Sequence, residues 1–157
     1  MSLASNLNGC DSFSCVFEIV RKCVDKVLGK RRNSLMLGLT DLPLQVGAFH
    51  AVPSNVIMLN RKLLNAIIQY DKKLVNAYVF HVLLHEYLHT LGFLDEEEVG
   101  MLTYVISKDF LGEQHPSTLI SKYGMGYVFP RLSIDPEIDR SITIVEDFDS
   151  QNLSYIG

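Results

Sequence analysis

The sequence predicts an α+β fold in one domain, a small mixed sheet packed on a buried helix and running over residues 1–157. Three observations lead there. Several segments carry apolar residues at helical spacing, and others are short apolar runs between turn formers. There is also no repeat, low-complexity tract or linker to divide the 157 residues, a length that suits a single core.

Each element has its own signal. Ser12 to Leu28 places Val16, Ile19, Val20, Val24 and Leu28 near helical spacing and stops at Gly29. Ser34–Thr40 reads as a buried strand. Gln45–Ala51 and Val56–Asn60 read as two more, joined through Pro53, Ser54 and Asn55. The stretch RKLLNAIIQY is helical, and Asp71 is placed to cap the helix after it. That helix, Lys72 to Leu91, is apolar on nearly every face and is therefore expected inside the protein, with Gly92 ending it. Glu96 to Leu111 is a further helix, with Val99, Leu102, Val105, Ile106 and Phe110 on one side. The remainder reads as irregular, apart from a strand in SITIVEDF and a glycine-punctuated turn in KYGMGYVFP.

Composition narrows the function. With 48% hydrophobic and 20% charged residues the chain has the balance of a globular protein, and a net charge of -4 gives no attraction to phosphate backbones. Nucleic acid is not an expected partner. Lys30, Arg31 and Arg32 follow Gly29 and suit the negative end of a helix. The first residues lack a basic start and an apolar run, so no signal peptide is expected, and no membrane span is expected either. Cys10, Cys15 and Cys23 are odd in number and form no CxxC, which points to unpaired thiols in a reducing, cytoplasmic setting. A thiol latch from Cys10 or Cys15 onto a metal is a minor alternative.

The chemistry concentrates in HEYLHTLGFLDEEE, residues 85–98. Helical residues four apart share a face, about 6 Å apart along the axis, so His85 and His89 can direct their imidazoles at one ion. Glu86 lies about 100° further round and reaches a water on that ion without ligating it. Zinc suits this set, one ion per chain, with three protein ligands and a water whose pKa falls towards about 7. Glu86 is then the base that takes the water's proton and returns it to the leaving amine. The plain alternative is that the three polar groups only bond to one another and to the nearby backbone. His81, one turn earlier, is a candidate for an outward-facing or supporting role.

Past the second histidine, Gly92 permits a sharp turn, and Asp95 can swing back to the ion. The segment therefore reads HExxHxxGxxD, and here it resembles the metzincin clan of zinc endopeptidases, whose motif ends in histidine or, in a minority, aspartate. His85, Glu86, His89, Gly92 and Asp95 match position by position. Members of that clan carry a methionine in a tight turn beneath the metal, and in some a tyrosine two residues later assists catalysis. YGMGY supplies Met125 and Tyr127 in those places. The resemblance implies a zincin-like fold, a zinc peptidase acting on peptide or protein substrates, and Tyr127 as a catalytic helper. It also implies that Val46–Val52 is the sheet edge on which an extended substrate lies. Within that edge His50 reads mainly as an ordinary exposed strand residue. The acidic carboxyl-terminal region reads mainly as a solvated surface.

The third ligand stays open on the residues themselves. Asp95 also heads a capping box for the next helix, Glu96, Glu97 or Glu98 can reach back instead, and His115 is a further candidate. Two functions of other classes compete. One is a metal-dependent endoribonuclease with spaced histidines, which the acidic charge and Glu86 disfavour. The other is a zincin-scaffold binding module with a structural metal.

Overall fold

Residues 2–43, 46–50, 54–132 and 137–149 are described by a computed structural model. The chain opens with α1 (Leu3–Asn8) and α2 (Phe13–Leu28), each started by a serine whose side chain accepts a free backbone N–H, Ser2 from Ser5 and Ser12 from Cys15. α2 ends as expected at Gly29, whose φ of 61° is the left-handed conformation that a glycine adopts without strain. β1 (Met36–Thr40), β2 (Ala48–His50), β3 (Val56–Asn60) and α3 (Arg61–Tyr70) follow. Then come a 3-10 turn (Lys72–Leu74), α4 (Val75–Thr90), α5 (Glu96–Leu111), α6 (Pro116–Tyr123), α7 (Met125–Val128) and β4 (Thr143–Ile144).

The expected α+β class is the observed one. The sheet is mixed, with order β2-β3-β1-β4: β1 and β3 run parallel, while β2 on β3 and β4 on β1 are antiparallel. Leu37, Ile57 and Leu59 turn into the core, where they join Phe17 and Val20 of α2 and Phe80, Leu83, Leu84 and Leu88 of α4. β2 lies at one end of the sheet, so among the described residues its outer edge is unpaired. Of the strand expected over Gln45–Ala51, positions 45 and 51 lie outside the described residues.

Asn60 sets the position of β2. Its buried Nδ2 donates to the carbonyls of Leu42, Pro43 and Val46 at 3.2, 3.2 and 2.8 Å. Its Oδ1 accepts from Lys62 N and caps α3. One amide thus ties the approach to β2 to the end of β3.

Several expectations are corrected. Asp71 caps the 3-10 turn rather than α4, which begins only at Val75. The region after α5 is not irregular, since α6 and α7 occupy it. α6 is started by His115 and Pro116 and buries Ser117, Thr118 and Ile120, so its inner face carries too few apolar residues to read as periodic. The strand in SITIVEDF shrinks to two residues. Arg32 leaves the α2 end and instead donates from Nη1 to the Thr90 carbonyl at the end of α4, 3.0 Å away.

The cysteines are also corrected. Cys10 and Cys15 form a disulfide, and Cys23 is a free, buried thiol. An odd count hides a short-range pair: the loop between α1 and α2 brings Cys10 back to the first turn of α2, where Cys15 sits. Asp149 departs from the solvated surface expected of the acidic tail. It is buried, pairs with Arg21 at 2.7 Å and accepts from Leu35 N. Among the described residues no helix is long and apolar enough to cross a membrane.

Candidate metal centre

α4 is buried around most of its circumference, as its composition requires, and it holds the three motif residues at their helical spacing. His85 and His89 emerge towards the start of α5 with their rings 5.0 Å apart. His85 Nε2 lies 3.1 Å from Glu96 Oε2, and His89 Nε2 lies 2.7 Å from Glu96 Oε1. Ligand atoms of these three residues fall within 4.8 Å of one another, a cluster that can hold a metal ion. A tetrahedral ion with bonds of about 2.1 Å sets its ligands roughly 3.4 Å apart, so the spacing suits one ion.

The hydrogen bonding of His89 makes the case sharper. Its Nδ1 is 2.7 Å from the carbonyl oxygen of Phe93, which can only accept. Nδ1 therefore carries a proton, and Nε2 faces the Glu96 carboxylate. Two acceptors that close repel unless a positive charge lies between them. A proton or a metal cation meets that need, and the bond to Phe93 is the kind that orients a metal-binding imidazole. Gly92 makes the bond possible: its φ of 105° turns the chain so that the Phe93 carbonyl comes back to His89.

Glu86 points inward and is 4% exposed. Loss of water raises its carboxyl to about 7, with the Glu96 charge adding to the rise and His89 opposing it. Burial likewise lowers His85, against the pull of Glu96, and lowers His81 to about 4. A raised carboxyl holds in the folded state a proton that the unfolded chain gives up from pH 4.5 upwards. The stability from that proton is present below 4.5 and is lost as pH rises to about 7. In chelator-treated protein, Glu86→Gln is therefore expected to gain on the wild type across this window by about 2–3 kcal/mol. Urea unfolding at pH 4, 6 and 8 measures it; parallel curves for the two proteins refute the burial of a titrating carboxyl.

The other candidates are placed as follows. Asp95 is the cap of α5, its Oδ1 accepting from Glu97 N at 3.0 Å, and the carboxylate beside both imidazoles is that of Glu96. His115 caps α6, its Nδ1 accepting from Ser117 N. Tyr127 is 60% exposed and rests on Tyr123, with ring centroids 4.7 Å apart; it lines neither cavity beside the imidazoles. Met125 does line one of them, but as the first residue of α7.

Those two cavities flank β2. One of 540 Å³ runs past Gly47, His85 and Glu86 towards Phe129, and one of 340 Å³ is lined by His50, His85, Glu86, His89 and Glu96. His50 is thus half-buried at the site, its Nε2 2.5 Å from the Ser54 carbonyl and its Nδ1 without a partner. Alternation of side chains along a strand did not reveal this role, because the cavity is closed by α4 and α5, far away in sequence.

No family model matches the chain, and neither the curated proteins nor the solved structures contain a match.

Proposed function

We propose that the chain is a metal-dependent peptidase in which His85, His89 and Glu96 hold one zinc ion and Glu86 acts as general base. The observation that carries this is the convergence of His89 Nε2, at 2.7 Å, and His85 Nε2, at 3.1 Å, on the one Glu96 carboxylate, with all three ligand groups close enough for a single ion. Two imidazoles and one carboxylate are a donor set of catalytic zinc, which keeps a fourth position for water. Bound there, the ion supplies Lewis acidity and favours loss of a proton from water near neutral pH.

The chain's own groups do the rest. Glu86, buried and raised to about 7, is matched to take a proton from water and deliver it to the departing amine at neutral pH. Among the described residues the outer edge of β2 is unpaired, and its backbone N–H and C=O groups are available to an extended peptide lying beside both cavities, each of which Glu86 lines. Glu96 is one position past the aspartate of the metzincin pattern, so the reading here is a zincin with a displaced third ligand. The Cys10–Cys15 bridge favours an oxidising compartment over the cytoplasmic setting expected from the cysteine count.

Purified protein is expected to contain one zinc per chain by elemental analysis and to hydrolyse unfolded peptides until a chelator is added. Stoichiometric zinc with no cleavage of a diverse peptide library overturns the peptidase reading in favour of a metal-bearing binding module. The third ligand has its own test, a zinc competition titration. Glu96→Ala is expected to weaken zinc by at least about 100-fold. Asp95→Ala is expected to cost about 1 kcal/mol of stability through the lost cap and to leave zinc affinity within a few-fold. The reverse pattern assigns the ligand to Asp95.

A further inference from the structure

The 540 Å³ cavity is apolar over most of its wall, with Leu63, Val82, Phe129 and Leu132 among its lining. Its polar side chains are Tyr78, His81, His85 and Glu86. Tyr78 and His81 are three residues apart on α4 and so share a face. Neither is used by the chemistry proposed above.

Their hydrogen bonding shows what they lack. His81 Nδ1 lies 3.0 Å from Ser121 Oγ, a hydroxyl that also lies 3.3 Å from the Ser117 carbonyl. Nε2 of His81 makes no hydrogen bond among the described residues and donates or accepts according to which ring nitrogen holds the proton. The Tyr78 hydroxyl is buried and also has no partner. A Cβ at residue 47 would stand 3.2 Å from that hydroxyl oxygen, so the glycine there keeps it free of a covering side chain. Buried polar groups left unpaired are costly, and a site that contains them discriminates against occupants unable to pair with them.

We propose that this cavity is a subsite for a phenol-type side chain, taking tyrosine in preference to phenylalanine, with the phenol hydroxyl bonding to the Tyr78 hydroxyl and to His81 Nε2. The ring occupies the apolar wall, and a phenol hydroxyl, which both donates and accepts, pairs with the Tyr78 hydroxyl and with either tautomer of His81. A carboxylate tip finds no cation among the lining residues and faces Glu86. As a statement about substrates this rests on the peptidase reading; as a binding site it does not.

The test uses small probes on the intact protein, followed by backbone amide and methyl NMR shifts. p-Cresol is expected to bind with shifts at Gly47, Gly126 and Met125, about tenfold more tightly than toluene. In His81→Phe that preference falls towards unity. Equal binding of p-cresol and toluene to the wild type, or tighter binding of n-butylamine as a lysine mimic, overturns the proposal, and both comparisons need no variant. Binding of p-cresol as expected by a protein that cleaves no peptide supports the subsite and removes the peptidase reading alone. Cleavage of peptides with no preference between tyrosine and phenylalanine overturns the substrate class.

Discussion

Glu86→Gln is expected to lower peptide hydrolysis by about 10²- to 10⁴-fold while one zinc ion per chain remains bound. Glutamine keeps the shape and fills the same buried space, but it has no basic oxygen to take a proton. The metal-holding groups keep their contacts, because none of the bonds joining His85, His89, Glu96 and Phe93 involves Glu86. Elemental analysis and a rate measurement on the same sample decide it. A variant that retains zinc and full rate removes Glu86 from the mechanism. A variant that loses zinc makes Glu86 a ligand, and the assignment of roles then fails. A binding module with a structural metal is unaffected by the change.

Arg21→Met is expected to cost about 3–5 kcal/mol of stability, the penalty of leaving a buried charge without its partner. Arg21 is fully buried and bonds Glu18 and Asp149, and its guanidinium carbon sits 4.8 Å from the centre of the Phe17 ring. Asp149 is 3% exposed in its side chain, so removing the arginine strands a carboxylate beside Phe148, which stacks on Phe17 at 4.4 Å. For a domain of this size the melting temperature is expected to fall by roughly 10 °C. Adding Asp149→Asn to the same chain is expected to recover most of that loss, since a neutral amide no longer needs the cation. If the single variant melts with the wild type, the pair contributes nothing. If the double variant is no better than the single, the loss comes from packing of the arginine stem.

How much was legible follows from the range of each signal. α2, α3 and α5 were readable because their apolar periods, caps and terminal glycine or aspartate are local. The edge position of β2 was read only through a resemblance, and the sheet order bears it out. α6 escaped because it buries small polar residues, and the Cys10–Cys15 bridge escaped because an odd count gives no pairing. Tyr127 shows the limit of motif reasoning: its distance from Met125 along the chain matched a known pattern, yet α7 turns its ring onto Tyr123.

Spacing alone determined that His85 and His89 share one face of a buried helix, with Glu86 about 100° round from His85, because the helical repeat leaves no other arrangement. Which carboxylate meets the two imidazoles was decided only by how α5 docks against the end of α4. Asp95 and Glu96 are adjacent, and a single residue of helix rotation of about 100° sends one into the cap and the other to the imidazoles. The two cavities and the unpaired hydroxyl of Tyr78 are likewise products of packing, made by α4, α7 and the sheet edge together. Local geometry obeys the order of residues; a site assembled from distant elements obeys the angle at which they pack.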